Sequence, residues 1–464
     1  VGVELAHNLA GQESFGTIAN MRRVEAARPV AVAQRIASLD VLRGFALLGI
    51  LVLNIEVFSA PITFHNVPLD QARPAFVGWH AELDYLILWV KWAFFEGRMR
   101  TLFAMLFGAG IILLTRSFEQ RGETVRGRQI YFRRNLWLLA FGLVHGILIW
   151  TGDILTYYAL LALVVMYPLR RVGARTLVTI GLIVGIGGGS VGLYRMTNAG
   201  AVFEAERLEQ LAQQAHAATR AHRPLTGEQR AALAAEAKRQ AEAADAPASV
   251  VGESGRSYLQ SIGPRAASFF AFIRGVFGSG WILEVVGSMM VGMGLFKLGF
   301  LTGDWTRRAY ALTAGIGYAL TVPLVTVGLI VSQQSGFAAP VLMRWLALPY
   351  GLEVLPGAIA NAALLLLIWK SGVARTMTTA LGKVGRTAFS NYIGTSLMCQ
   401  FIFAWGPWPL FAKLEYHQQL YVVAGVWAIN LVASALWLRW FDFGPLEWLW
   451  RSLVYGKRQP LRRR

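Results

Sequence analysis

The sequence predicts an all-α polytopic membrane protein with about ten transmembrane helices, additional interfacial helices and both termini in the cytoplasm. Three observations lead there. Hydrophobic residues make up 55% of the chain against 15% charged, with a mean hydropathy of +0.46. Apolar runs long enough to span a bilayer recur along the 464 residues. Lys and Arg, although they give a net charge of +18, gather in short segments between those runs. That pattern is the positive-inside bias of cytoplasmic loops touching anionic membrane lipids, and it argues against nucleic acid as a partner. The single cysteine, Cys399, excludes an intrachain disulfide and a thiolate metal site. The seven histidines show no His-x-x-x-His spacing, so local sequence points to no metal.

Residues 1–34 read as an N-terminal cytoplasmic arm. Residues 1–20 lack signal-peptide architecture and precede Met21-Arg22-Arg23, which looks like a natural start, so they are set aside from the fold. The N-terminal membrane half, 35–198, opens with an apolar helix carrying Arg43 at its mouth and Gly44 beside it. Asn54 and Glu56 lie deeper, where an unsatisfied polar group is costly. A loop with His65 and His80 follows. Residues 82–95 are too short and interrupted for a comfortable span, and read as an interfacial helix with Lys91 and Trp92 at headgroup level. A full span there would place the Arg-rich loop 116–134 outside. Residues 99–114 cross, 136–169 form a helical hairpin turning at Thr151-Gly152-Asp153, and 176–194 cross outward.

Residues 199–258 shift to Ala, Glu, Gln and Arg, and read as a periplasmic helical insertion broken at Arg223-Pro224. Thr226 through Gln229 supplies a capping signal for its second arm. The C-terminal membrane half, 259–451, begins with an interfacial stretch at 262–278. It continues with spans at 281–300, 310–331, 349–369, 388–405 and 420–440. Residues 452–464 form a basic cytoplasmic tail.

The opening pattern Leu39-Asp40-x-x-Arg43-Gly44-x-Ala46-x-Leu48-Gly49-Ile50-Leu51-x-x-Asn54 resembles the YeiB-type bacterial inner-membrane family, a domain family of unknown function. So do Leu-Phe-x-x-Leu-Phe-Gly-Ala-Gly at 102–110, His-Gly-x-Leu-x-Trp-x-Gly-Asp-Ile-Leu at 145–155, Gly-Arg-x-Ala-x-x-Asn-Tyr at 385–392 and Gly-Pro-x-Glu-Trp-Leu-Trp-Arg at 444–451. More distantly, the first helix looks like that of membrane acyltransferases, including the lysosomal heparan glucosaminide acetyltransferase, which also has Asn at the position of Asn54. The resemblance implies a multi-pass protein of the bacterial inner membrane and carries no settled chemistry.

Several residues have the chemistry for acyl transfer. His145, on an otherwise apolar helix, and Asp153, at the turn, suit a general base held by a carboxylate. The alternative is an interhelical hydrogen bond for His145 and a helix cap for Asp153. Asn54 could polarise a thioester carbonyl, or simply bond a neighbouring helix. Arg43 and Arg386 suit a phosphate of acyl-CoA at the cytoplasmic mouth; ordinary topology-setting arginines would look the same. Glu56, Glu284 and Glu353 are membrane carboxylates suited to pairing with arginine. The leading expectation is an acyltransferase moving an acyl group from cytoplasmic acyl-CoA to a periplasmic sugar or lipid-linked acceptor. A non-catalytic subunit of a larger membrane complex, a homo-oligomer, and a small-solute transporter remain open alternatives. No paired discontinuous helices are evident to favour transport.

Overall fold

The computed structural model describes residues 36–60, 79–245 and 258–462. The whole N-terminal arm, the loop with His65, residues 246–257 of the insertion and the last two residues lie outside the described residues. Those described are helical, with no strands among them. The first helices are α1 (Ala37–Ser59), α2 (Ala81–Val90, running into a π-turn at Lys91–Phe95) and α3 (Arg98–Glu119). α4 (Thr124–Val144) ends in a second π-turn, His145–Ile149, and α5 (Leu155–Leu169) returns. α6 (Ala174–Met196) leads to a hairpin of α7 (Ala199–Arg220) and α8 (Gly227–Asp245). Then come α9 (Tyr258–Gly278), α10 (Ile282–Lys297), α11 (Arg307–Gln334) and the short α12 (Ala339–Leu342, with a π-turn at Met343–Ala347). The chain closes with α13 (Tyr350–Ser371), α14 (Arg375–Arg386), α15 (Ala388–Gln400, with a π-turn at Phe401–Trp405), α16 (Tyr416–Trp440) and α17 (Pro445–Tyr455).

Seven helical segments are long and apolar enough to cross a membrane, or eight if α9 and α10, bent by 70° at their junction, make one broken span. The protein is a multi-pass membrane protein. The count is lower than the sequence suggests because α5 is too short to qualify and α15 carries Ser390, Asn391, Thr395 and Ser396. The hairpin 199–245 turns before Thr226, whose hydroxyl accepts the Gln229 N–H at 3.2 Å while the Gln229 amide oxygen accepts the Thr226 N–H at 3.0 Å. This reciprocal cap is what the Thr-x-x-Gln spacing encodes.

Burial separates centre from rim. Within their most apolar windows, 78% of α1 and 67% of both the α2–α3 unit and α13 are buried, against 22–33% for α4, α6, α11 and α16. The outer four present Ile, Leu and Val outward, as a lipid-facing belt requires.

The α2–α3 unit runs for 39 residues, about twice what a bilayer core needs at 1.5 Å per residue. It is broken at Glu96-Gly97, where Gly97 takes φ +64°, a left-handed conformation that costs glycine little. The break draws polar groups inward. Lys91 and Trp92, expected at headgroup level, are instead buried, and Lys91 Nζ stands 2.6 Å from Glu56 Oε1 and 3.4 Å from Glu96 Oε2. One turn beyond, Arg100 Nη2 meets Glu284 Oε2 at 2.9 Å, its guanidinium lies over the Trp281 ring, and Thr101 donates to Glu284 Oε1 at 2.6 Å. Glu284 opens α10 just after the 70° bend. Two discontinuous helices therefore meet through their breaks, a feature the sequence did not reveal.

Small residues set the close packing. Along α6, Gly181, Gly185, Gly188 and Gly192 face α10, so that a Cβ on Gly188 would lie 2.6 Å from the Glu284 backbone nitrogen. At the Arg43 end of α1, α14 crosses α1 backbone to backbone. A Cβ on Gly44 would strike the Leu381 carbonyl oxygen, and one on Gly385 would strike that of Asp40. Gly44→Leu or Gly385→Leu should therefore separate α1 from α14 and destabilise the protein by about 1–3 kcal/mol, the usual cost of overpacking. Thermal unfolding of detergent-solubilised variants measures this; an unchanged midpoint would show that the seam is not tightly packed.

Candidate functional site

The candidate site lies where the α4 π-turn, the following loop and α15 converge. His145 is 1% exposed and Asp153 is fully buried; His145 Nδ1 and Asp153 Oδ1 are 2.8 Å apart. Asp153 also serves as a helix cap, since its Oδ2 accepts the Thr156 backbone N–H and hydroxyl, each at 2.7 Å. The histidine contact and the helix cap weighed from the sequence are thus both present, one on each carboxylate oxygen. The Tyr392 hydroxyl lies 3.4 Å from Asp153 Oδ1 and accepts the Ile154 N–H at 3.2 Å. This double anchoring fixes the carboxylate, and the carboxylate fixes the imidazole. With Nδ1–H directed to Asp153, the lone pair of His145 resides on Nε2, which is buried without a hydrogen-bond partner among the described residues.

The π-turn matters locally. Its extra residue widens the helix, and Gly146 within it leaves room for the Phe269 ring of α9. Trp150, which ends the turn, stacks on Phe58 of α1 with ring centroids 4.3 Å apart, and Tyr392 packs against the His145 ring at 5.0 Å.

Asn54 borders a cavity of about 20 Å³ shared with Leu47, Ile50, Phe58, Trp150 and Tyr392, enough for one water molecule. Its amide makes no side-chain hydrogen bond among the described residues. Asn54 and His145 are therefore separated by Trp150 and Tyr392, which line the cavity and also touch the histidine. Arg43 lies at the other end of α1, about 16 Å from Asn54 by helical rise, and Arg386 ends α14, which packs there. Arg43 pairs with Asp40 at 2.9 Å and reaches the Gly385 carbonyl at 3.5 Å, while Arg386 donates to the Asp442 carbonyl at 3.2 Å. The two arginines share the α1–α14 seam but not the histidine site.

Sequence reasoning gave Tyr392 and Thr156 no role, although Tyr392 ends the 385–392 motif; only the fold shows that it touches Asp153. Glu284 pairs with an arginine, Arg100, as expected for a membrane carboxylate, whereas Glu56 pairs with Lys91; no sequence spacing identifies either partner. Asp153→Ala should remove the partner of His145 and the cap of α5 together, costing about 3–5 kcal/mol as for other buried pairs broken from one side. Asp153→Asn keeps the cap and should cost clearly less. Equal losses in thermal unfolding for the two variants would contradict this division of labour.

Residues 295–457 match the family model described as protein of unknown function DUF418. The chain is 28% identical over 432 residues to the uncharacterized protein YeiB of Escherichia coli K12, covering 91% of this chain and 96% of that protein. It is 27% identical over 454 residues to the uncharacterized protein YxaH of Bacillus subtilis 168, covering 94% and 98%. A third relative, an uncharacterized 39.9 kDa protein of Bacillus acidopullulyticus, is 25% identical with 93% and 97% covered. No solved structure matches the chain. The protein is a homologue of YeiB and YxaH over most of its length and carries the DUF418 family segment in its C-terminal half.

Proposed function

We propose that the protein is a transmembrane acyltransferase of the bacterial inner membrane, moving an acyl group from cytoplasmic acyl-CoA to a sugar or lipid-linked acceptor on the periplasmic face. The observation that carries this reading is the buried His145–Asp153 pair, with Nε2 unpartnered, beside the Asn54 cavity. A histidine so held is a general base of fixed tautomer. His145 Nε2 takes the proton of an acceptor hydroxyl, and the hydroxyl oxygen attacks the thioester carbonyl. The carbon–sulfur bond then breaks, and the thiolate leaves toward the cytoplasmic mouth. Asn54 donates its amide hydrogens to the developing oxyanion. Arg43 and Arg386 hold the phosphates of the donor; Arg43 must exchange Asp40 for phosphate to do so. An acceptor larger than water requires Trp150 and Phe58 to part.

His145→Ala should abolish transfer of a labelled acyl group, measured per folded protein in membrane vesicles, and, by leaving Asp153 buried without its partner, should also lower the unfolding midpoint. Full transfer by that variant would defeat the assignment. Arg43→Ala should chiefly raise the KM for acyl-CoA.

A second reading, transport of a small polar solute, is favoured by a different observation. The two helix breaks bring Lys91, Arg98, Arg100, Glu56, Glu96, Glu284 and Glu353 into the interior, all buried. The side chains of Arg98 and Glu353 make no hydrogen bonds among the described residues. Discontinuous helices meeting at charged groups are a transporter's way of building a midplane site. Solute counterflow in liposomes that is lost in Glu353→Gln and retained in His145→Ala would favour this reading over the enzyme.

A further inference from the structure

At the end of the bundle where α1 leaves and α2 and α16 begin, four titratable side chains converge from distant parts of the chain. His80 immediately precedes α2, Asp84 lies in its first turn, Glu415 is the N-cap of α16 and His417 is in that helix's first turn. Asp84, 1% exposed, bridges the two imidazoles. Its Oδ2 is 2.8 Å from His80 Nδ1, and its Oδ1 is 3.2 Å from His417 Nδ1 and accepts the His417 backbone N–H at 3.1 Å. The two rings lie 4.8 Å apart, and Glu415 is held by a reciprocal cap with Gln418.

The geometry points to a divalent metal site, of the kind that takes zinc, formed by His80, Glu415 and His417 and oriented by Asp84. Each of the three offers one ligand atom, and those atoms lie within 4.8 Å of one another. His80 Nε2 stands 3.4 Å from Glu415 Oε2, the separation that two ligands about 2.1 Å from one tetrahedral ion would have. His417 Nδ1 is 3.8 Å from the same oxygen. Should His417 turn that nitrogen to the metal, Asp84 Oδ1 keeps the His417 backbone N–H. The donor set, two imidazoles and a carboxylate, is one that zinc accepts in three-ligand sites with a fourth position left for water. Glu415 is 45% exposed, so that fourth position opens toward solvent. For His80, whose Nε2 faces the metal position while Nδ1 meets Asp84, that carboxylate is the outer-shell partner that fixes ring orientation; for His417 it holds the backbone N–H. Its charge and that of Glu415 balance a divalent cation.

The test uses the full-length protein in detergent, stripped with chelator and dialysed against zinc. Bound metal is counted by mass spectrometry, and unfolding is followed with and without the ion. The wild type should retain one equivalent and unfold at a higher temperature with zinc. Glu415→Gln, which preserves the helix cap, and His80→Ala should each lose both effects. Asp84→Asn should weaken binding about tenfold to a hundredfold. A wild type that retains no zinc, or one equivalent that survives in Glu415→Gln and His80→Ala alike, would overturn the assignment and leave the cluster as an ion-paired joint between α2 and α16.

Discussion

The structure depends on keeping charge satisfied where water is scarce. An ion pair taken out of water loses more hydration than it gains unless its geometry and remaining hydrogen bonds are good. Lys91 meets that requirement by sitting between Glu56 and Glu96, and Arg100 by adding the Trp281 face and the Tyr350 hydroxyl to Glu284. These contacts tie α1, α2, α3, α10 and α13 together at the two helix breaks. Gly108 of α3, against the Met289 carbonyl, and Gly292 of α10, against that of Met105, let α3 and α10 approach closely beside the Arg100–Glu284 pair.

The histidine site follows the same rule on a smaller scale. Asp153 spends one oxygen on His145 and the other on the start of α5, with Tyr392 closing the remaining side. The aromatic walls, Trp150 on Phe58 and Tyr392 on His145, exclude water from the pair. An imidazole nitrogen left free in such surroundings is a cost to stability, and proteins keep such costs mainly where a ligand or a reaction repays them. Asp153 and Tyr392 hold the imidazole side in one orientation, which suits the proposed base.

Much of the fold was legible in the sequence. Apolar runs and basic loops marked the helices, and the Thr226–Gln229 spacing marked a cap. The His145–Asp153 pairing was also within reach, because eight residues across a turn place both at one corner. What could not be read were contacts between distant segments. Lys91 looked interfacial because its nearest sequence neighbours are aromatic; Glu56, which draws it inward, lies on another helix. The break at Gly97 could not be read either, because one glycine among charges does not say whether two helices or one bent helix surround it. The His80–His417 cluster has no local spacing at all, since its members meet only when α2 and α16 align. The ten spans suggested by hydropathy become seven or eight because length and polarity were judged over runs whose exact ends, at α5 and α15, only the fold supplies.

Five π-turns among the described residues, at Lys91, His145, Ala162, Met343 and Phe401, each insert one residue into an otherwise regular helix. An α-helix advances about 100° per residue, so removing any one of them would rotate everything beyond it by more than a quarter turn. For the turn at His145, that rotation would swing Trp150 off Phe58 and carry Asp153 away from the imidazole. The register of this corner is therefore written in chain length as much as in residue identity. A relative one residue shorter here would keep the same amino acids and lose the alignment between them.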